Sequence, residues 1–342
     1  MLDKQYLFNT IHTLFNIHSP SGYTKKATSF IQKEVESFGY TTSYTNKGNL
    51  IVYVPGQDDK NYAIGAHVDT LGLIVRSISD QGNLNFETIG GPLLPTLDGE
   101  YCTIHTRDGK EYTGTILSKS CAAHVHLDAR TRTRDEENME IRLDEIVKNK
   151  EDVQALGIQN GDYIFIDPKT TITEKEFIKS RFLDDKISCC AILAALKELS
   201  TLNNRPAHNF YIIFSTYEEV GHGCSYLPVE IEELLSIDMG CIGLDLSCTE
   251  YDVSICAKDS SGPYDYSIVS KLQNYAKEAN LSYVTDIYPK YSSDASAALR
   301  AGNDIRGGLI GPGVNASHGM ERCHLRAVEN TIELIKAYMI KG

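Results

Sequence analysis

The stretch that decides the fold is residues 209–221, Asn-Phe-Tyr-Ile-Ile-Phe-Ser-Thr-Tyr-Glu-Glu-Val-Gly. Its first seven residues, mostly β-branched and aromatic, predict a buried strand. Glu218 and Glu219 follow, and two such acids cost free energy there unless a cation receives them. Neighbours on an extended chain point to opposite sides, so one carboxylate can bind a metal ion while the other carries a proton. The alternative for this stretch alone is a solvated turn.

The composition is typical of a soluble globular protein. The chain has 342 residues, 42% hydrophobic and 23% charged, which is enough for one large domain or two ordinary ones. Its 33 basic and 46 acidic residues give a net charge of −13, which argues against nucleic acid and anionic membranes as partners.

The cysteines and the apolar runs indicate the compartment. Nine cysteines, two of them adjacent at Cys189 and Cys190, show neither a disulfide framework nor a Cys-x-x-Cys zinc spacing. Reduced thiols, together with the lack of a signal core or a membrane-length apolar run, predict a cytoplasmic protein.

Strands alternate with helices over residues 1–76 and 180–342, which predicts an α/β domain with a mixed, mainly parallel sheet and flanking helices. In such sheets ligands bind at the carboxyl ends of the strands. The predicted strands are Asn49–Val54, Tyr62–Ala66, Asn209–Ser215, Cys241–Leu246 and Ile305–Ile310.

Residues 77–179 have a different texture, with short β-like runs between turn signals such as Asp108-Gly109. They predict a small inserted β domain resembling a barrel, with an exposed loop over His126–Glu140. Exposed strand edges have to be buried or blunted. We therefore expect this domain to support oligomerisation.

Acidic and histidine side chains follow several predicted strands or open the next helix. Histidine and carboxylate ligands without cysteine suit zinc, cobalt or manganese, and more carboxylates than one ion needs indicate two ions. The candidate residues are His67, Asp69, Asp184, Glu218, Glu219, Asp245 and His318.

Five motifs occur in the order seen in co-catalytic dizinc exopeptidases. The sequence most resembles the tetrahedral dizinc aminopeptidases, the branch with deblocking and glutamyl aminopeptidases. The resemblance covers nearly the whole chain and implies the zinc exopeptidase-like fold. The motifs are Gly65-Ala66-His67-Val68-Asp69, Phe182-Leu183-Asp184-Asp185-Lys186, Tyr217-Glu218-Glu219-Val220-Gly221, Gly243-Leu244-Asp245 and Ser317-His318-Gly319-Met320-Glu321.

The resemblance implies a set of metal ligands. His67 and Asp245 would hold one divalent ion, zinc or cobalt. Glu219 and His318 would hold the other, and Asp184 would bridge both. Relatives more often have Ile or Val before the last histidine and Ser after it, where this chain has Ser317 and Gly319.

The resemblance also implies the catalytic residues. Glu218 would be the general base and acid. Asp69 would orient His67 through the ring nitrogen that faces away from the ion. The peptide bond between Asp184 and Asp185 would be cis, and Asp185 itself would be structural rather than a ligand.

The expected activity is removal of N-terminal residues from peptides, by a homododecamer built from dimers. The alternatives are a related dizinc carboxypeptidase, dipeptidase or N-acyl amino acid deacylase, or a catalytically silent binding protein. The related dizinc enzymes usually have their inserted domain later in the chain. A catalytically silent protein would be free to lose Glu218, which this chain retains. We expect His124 and His126 to lie in a loop or interface, and Asp294 either caps a helix or lines the substrate pocket.

Overall fold

A computed structural model describes residues 2–202 and 205–342 and divides the chain into two compact units. Unit 1 comprises Met1–Thr70, Lys169–Ser317 and Glu321–Gly342, and unit 2 comprises Leu71–Pro168 and His318–Met320. The helices are α1 Lys4–Phe15, α2 Lys25–Ser37, α3 Lys150–Ala155, α4 Leu183–Ser200, α5 Tyr266–Glu278, α6 Asp294–Arg300 and α7 Leu325–Lys341, with a 3-10 helix at Leu94–Leu97.

Nineteen strands complete the description. Strands β1 to β10 are Thr41–Tyr44, Leu50–Val54, Asn61–His67, Gly72–Ile78, Leu84–Ile89, Tyr101–His105, Glu111–Ser118, Met139–Leu143, Tyr163–Ile166 and Thr171–Ile172. Strands β11 to β19 are Phe177–Ser180, Asn209–Ser215, Glu233–Ile237, Gly240–Cys241, Val253–Asp259, Gly262–Pro263, Tyr283–Ile287, Arg306–Val314 and Glu321–His324.

Unit 1 is built on a mixed sheet in the order β1-β2-β12-β3-β13-β18-β15-β16, with β17 added beside β15. The central strands β12, β3, β13 and β18 are parallel, and the outer pairs β1–β2 and β15–β16 are antiparallel. The predicted fold class, a mixed α/β sheet with a barrel-like second unit, is confirmed.

Alternation along β12 explains why helices cover both faces of this sheet. Phe210, Ile212 and Phe214 point into the core formed with α1, α4 and α7. Ile213 points to the opposite face, where Ala295 of α6 packs. Most residues of helix α4 are buried, because its apolar residues contact α1, α2, α7 and β3.

One buried acid lies at the amino end of β13. Glu233 is 1% exposed, and its carboxylate accepts a hydrogen bond from Tyr338 at 2.9 Å. Lys271 Nζ lies 3.1 Å from Glu233 and an Arg306 guanidinium nitrogen 2.9 Å from it. The negative charge at this end of the strand is therefore balanced by two cations of the protein itself.

Unit 2 contains a closed barrel in the order β4-β5-β8-β7-β6-β9. Its interior is filled by alternating apolar residues such as Leu73, Ile104, Ile116 and Ile164, all fully buried. Closure pairs every strand on both sides. The prediction that exposed strand edges force this unit into a subunit contact is therefore wrong. A contact between subunits through this unit would have to be made by its exposed side chains.

The limits of the units differ from the predicted boundaries after residues 76 and 179. Strand β4 begins at Gly72 and is part of the barrel. Its apolar residues continue the pattern of β3, so the sequence pattern gives no sign of this boundary. The short strands β10 and β11 pair with each other and with β19, within unit 1. Among residues 2–202 and 205–342, no helix combines the length and apolar character that crossing a membrane requires.

The predicted strand over Cys241–Leu246 is wrong. Gly243 has φ +140° and Leu244 φ +51°, so the chain turns there, and the Leu244 side chain is fully exposed. The strand that enters the core instead is β13, whose Leu234, Leu235 and Ile237 are fully buried. The apolar residues that suggest a strand over Cys241–Leu246 lie mostly in a surface turn, which follows β13 and the short strand β14.

Candidate metal centre

Three neighbouring parallel strands of unit 1 end at the same edge of the sheet. In the order β12-β3-β13, Ser215 pairs with His67 and Ser236 with Gly65. Glu218 and Glu219 follow β12, and Asp238 follows β13 directly. The strand register therefore brings a histidine and several carboxylates to one place, as expected for the carboxyl ends of such a sheet.

Two overlapping groups of side chains at this edge have the spacing of metal ligands. One group is His67, Glu218 and Asp238, and the other is His67, Asp184 and Glu219, with the ligand atoms of each group within 4.8 Å of one another. His67 Nε2 lies 3.0 Å from Asp184 Oδ1 and 3.7 Å from Glu218 Oε2. Four of the predicted residues are thus brought together around one imidazole.

The other ring nitrogen of His67 is fixed by main chain rather than by a carboxylate. Nδ1 donates to the Asp69 carbonyl oxygen at 2.9 Å, whereas the Asp69 carboxylate is 3.6 Å away. Because Nδ1 donates to this carbonyl, Nε2 is the ring nitrogen that faces the carboxylates, donating to Asp184 when the ring is protonated and free to bind a metal ion when it is neutral. Asp69 thus holds the His67 ring through its carbonyl oxygen, and the predicted pairing of its carboxylate with His67 stays a prediction.

The buried carboxylate of Asp69 has a different set of partners. It accepts hydrogen bonds from the Glu218 amide at 3.1 Å, from the Glu219 amide at 3.3 Å and from the Ser21 hydroxyl at 2.5 Å. Asp69 therefore holds the backbone of both acidic residues and ties it to the loop before α2. The sequence predicts the His–x–Asp pair but gives no sign of these amide contacts or of Ser21.

The start of α4 positions Asp184. Its amide donates to Glu321 Oε2 at 3.1 Å, and the Asp184–Asp185 peptide bond is cis, as the family resemblance implies. Asp185 is fully buried and accepts a hydrogen bond from the His67 amide at 3.3 Å, so it supports the backbone of the site. Glu321 belongs to a motif used in the sequence analysis, but its contact with Asp184 was not predicted.

Asp245 is not part of the cluster. It is exposed in the turn after β14, whereas Asp238 is 4% exposed and lies among the candidate ligands. The prediction of Asp245 as a ligand is therefore corrected to Asp238. The signal that could have found Asp238 is the apolar run Leu234–Ile237, which ends in a carboxylate just as the β12 stretch does.

His318 belongs to the part of the chain grouped with the barrel. There its Nδ1 donates to the Gly91 carbonyl oxygen at 2.8 Å, and its own carbonyl accepts from the Leu93 amide at 2.9 Å. In the chain it follows β18, the strand next to β13. Its assignment as a metal ligand stays a prediction.

Burial and crowding raise the pKa values of the acids in the cluster. Burial raises the pKa of Glu218 well above its ordinary value, and burial followed by the charge of Asp184 raises the pKa of Asp238 to about 7. Burial alone would lower the pKa of His67, but its hydrogen bonds to Asp184 and Asp69 outweigh this and raise it. A single histidine thus faces more buried negative charge than it can balance.

This donor set fits divalent metal ions. It combines one neutral imidazole nitrogen with carboxylate oxygens, and none of the described groups includes a cysteine. Two cations shared by the overlapping groups would balance the acids that burial otherwise disfavours as anions. The arrangement is typical of hydrolases that use a pair of ions.

Two further residues lie beside the cluster: Asp294, for which the sequence leaves two roles open, and Tyr291, which no sequence pattern singles out. Asp294 makes no helix cap, because its carboxylate accepts from the Cys224 amide at 2.7 Å and from the Ser215 hydroxyl. It therefore fixes the loop after Glu219 against the end of β12. The buried Tyr291 hydroxyl faces Asp238; burial, and then the charges of Asp238 and Asp184, raise the pKa of Tyr291.

The loop histidines His124 and His126 lie in unit 2, where His126 Nδ1 accepts from the Ala122 amide at 3.4 Å.

The chain belongs to the family described as M42 glutamyl aminopeptidase, whose model matches residues 48–334. It is 43% identical over 331 residues to the "Putative aminopeptidase YhfE" of Bacillus subtilis strain 168, a match that covers 96% of each chain. The predicted family and class, an aminopeptidase that hydrolyses peptide bonds, are confirmed.

Solved structures share the fold at lower sequence identity. A TET aminopeptidase from the archaeon Thaumarchaeota archaeon SCGC AB-539-E09 has a TM-score of 0.90 and 20% identity, and covers 99% of this chain and 97% of its own. The TET1 peptidase of Pyrococcus horikoshii, described as able to assemble into a tetrahedron or a large octahedral shell, has a TM-score of 0.85. It is 22% identical and covers 98% of this chain and 100% of its own.

Proposed function

We propose that the protein removes N-terminal residues from peptides with two divalent ions, zinc or cobalt, held by His67, Asp184, Glu219 and Asp238. The observation that carries this proposal is the pair of overlapping ligand groups around His67. When bound, the ions would supply Lewis-acid polarisation of the scissile carbonyl and a lowered pKa for the attacking water. His318 remains a further candidate ligand from the resemblance.

Within this proposal Glu218 moves the proton. The Glu218 side chain is 14% exposed, so its carboxylate can reach both the cluster and an incoming substrate. It takes a proton from the attacking water and returns it to the amine that leaves. Asp69 holds the Glu218 amide, and this contact fixes where the carboxylate sits relative to His67.

We expect activity to depend on metal ions. Dialysis against a chelator should abolish hydrolysis of a free peptide, and zinc or cobalt should restore it, because the carboxylate cluster alone has no electrophile. The measurement is the release of the first residue, identified by sequencing which end of the peptide becomes shorter. An acetylated copy of the same peptide is the control.

Full activity of metal-free protein would contradict the two-ion proposal. Preference for the acetylated copy, or shortening from the C-terminus, would indicate the deacylase or carboxypeptidase reaction instead.

The barrel of unit 2 supports the proposal of a homododecamer built from dimers. Its surface exposes Val125 at 74%, Leu127 at 107% and Ile146 at 95% of their full areas. Two of these side chains lie in the same loop, and clustered exposed apolar residues are typical of protein contacts. The shared fold with the TET1 peptidase of Pyrococcus horikoshii, which can assemble into a tetrahedron or a large octahedral shell, adds support.

We expect the double substitution Val125→Asp and Leu127→Asp to break the large oligomer into smaller species. Placing two carboxylates in an apolar contact should cost about 2 kcal/mol or more at each position. Leu244→Asp is the matched control, because Leu244 is equally exposed but lies in unit 1. Light scattering measures the mass. A monomer before substitution, or a full oligomer after it, would contradict the proposed contact.

The nine cysteines support a reducing compartment, and we propose that the protein is cytoplasmic. All nine are unpaired as thiols, and eight of them are at least partly buried.

A further inference from the structure

A basic groove runs along unit 1 beside the start of α2. Its volume is about 1060 Å³, and its walls come from the start of α2, the turn between β1 and β2, and Tyr217. Three lysines of α2, Lys25, Lys26 and Lys33, line it together with Lys47 and with aromatic side chains such as Tyr23. We refer to this surface as the lysine groove.

The three lysines are not balanced by acids of the described chain. All three are exposed, and no ion pair joins any of them to a described carboxylate. The nearby acids of α2 have other partners, because Glu34 accepts from the Tyr6 hydroxyl and Glu36 accepts from the Thr42 hydroxyl and from Gln32, a residue that itself lines the groove. In a chain with a net charge of −13, such a surface is a local exception that attracts anions.

Two residues that line the lysine groove are direct chain neighbours of residues in the hydrogen-bonded surroundings of the metal centre. Tyr217 directly precedes Glu218, and Gly22 directly follows Ser21, whose hydroxyl donates to the Asp69 carboxylate. The same carboxylate accepts from the Glu218 amide. The groove and the proposed base are therefore positioned by one hydrogen-bonded unit.

The wall around Tyr217 is held in place. The Tyr217 ring stacks on His222 with centroids 4.9 Å apart and an angle of 20° between the rings. Lys47 Nζ donates to the His222 carbonyl oxygen and, at 2.9 Å, to Ser225. Lys47 therefore stabilises the wall of the groove, and Lys25, Lys26 and Lys33 are the lysines that can contact a ligand.

We propose that the lysine groove binds the part of the peptide substrate beyond the scissile bond, and that its lysines select carboxylates there. The carboxylates are acidic side chains or the C-terminus of the substrate. This inference rests on the proposed peptidase function. A peptide whose first residue is at the metal centre continues past Glu218, and the groove supplies an aromatic and cationic surface at that point.

The test compares peptides that share their first two residues and differ only further along. One series carries acidic, neutral or basic residues there, and another has a free or an amidated C-terminus. In the unaltered protein, acidic peptides should have the lower KM. The double substitution Lys25→Glu and Lys33→Glu should reduce the acidic-over-basic preference in kcat/KM by roughly 3- to 30-fold, the size expected for a few exposed charge contacts.

A charge-matched control is Lys175→Glu with Lys277→Glu, two exposed lysines outside the groove, which should leave the preference unchanged. The preference should also weaken as salt rises, because exposed charges are screened over about 10 Å at 0.1 M salt. Loss of preference on amidation alone would identify the C-terminal carboxylate as the group that is bound.

An aminoacyl amide has nothing beyond the scissile bond, so both variants should hydrolyse it at the unaltered rate. Failure of every protein on this substrate would count against the peptidase function itself. Normal hydrolysis of the amide, with no change of preference after Lys25→Glu and Lys33→Glu, would overturn the role of the groove.

Discussion

Glu218→Gln should retain the metal ions and lower kcat by roughly 10²–10⁴-fold, the usual contribution of a general base. The amide keeps the size of the side chain but cannot accept the proton from water. Metal analysis of the purified variant and kcat on a free peptide measure the two properties separately.

Glu219→Gln is the matched comparison, because the same substitution one residue further along removes a proposed ligand. That variant should lose metal as well as activity. If Glu218→Gln strips metal while Glu219→Gln retains it, the two roles are exchanged. This comparison is needed to separate the base from the ligand, because Glu218 itself belongs to one of the two ligand groups.

Asp184→Asn should weaken the binding of both ions, since Asp184 is the proposed bridge. Its Oδ1 lies 3.0 Å from His67 Nε2, and its charge also acts on Asp238. The loss of affinity should exceed the roughly 10–100-fold typical of residues that only orient a ligand. Titration of the metal-free protein with zinc, followed by calorimetry, measures both ions.

Two further variants separate the bridge from a single ligand. Asp238→Asn should weaken one ion, and Asp245→Asn, in the exposed turn, should weaken none. Metal loss in Asp245→Asn with normal binding in Asp238→Asn would restore the original assignment. Equal, partial loss in Asp184→Asn and Asp238→Asn would argue against a bridge.

The fold and much of the site could be predicted from local patterns. The sequence predicts a short helix over Asp294–Arg300, which are the bounds of α6, and the helical spacing of Leu7, Ile11 and Leu14 predicts the buried face of α1. His67 and the acids after β12 were found because a long apolar strand ends in ionisable residues. Such signals depend only on neighbours in the chain.

The errors concern features that depend on backbone conformation or distant contacts. The sequence predicts Asp245 as a ligand because the turn at Gly243 and Leu244 contains the same apolar residue types as a strand. The amide contacts of Asp69 and the support of Asp184 by Glu321 join residues far apart in sequence. Closure of the barrel likewise depends on pairing between β4 and β9, which no local pattern encodes.

Strand β13 carries an acid at each end, and the two ends are treated differently. Glu233 is neutralised by Lys271 and Arg306, whereas Asp238 sits with other acids around a single histidine. At one end the protein itself supplies the balancing cations, whereas at the other end several acids face one histidine. In the proposed two-ion enzyme, bound ions rather than side chains would balance the acids at this second end. The supply of metal in the cell would then set how much of the folded population is active, independently of how much is made.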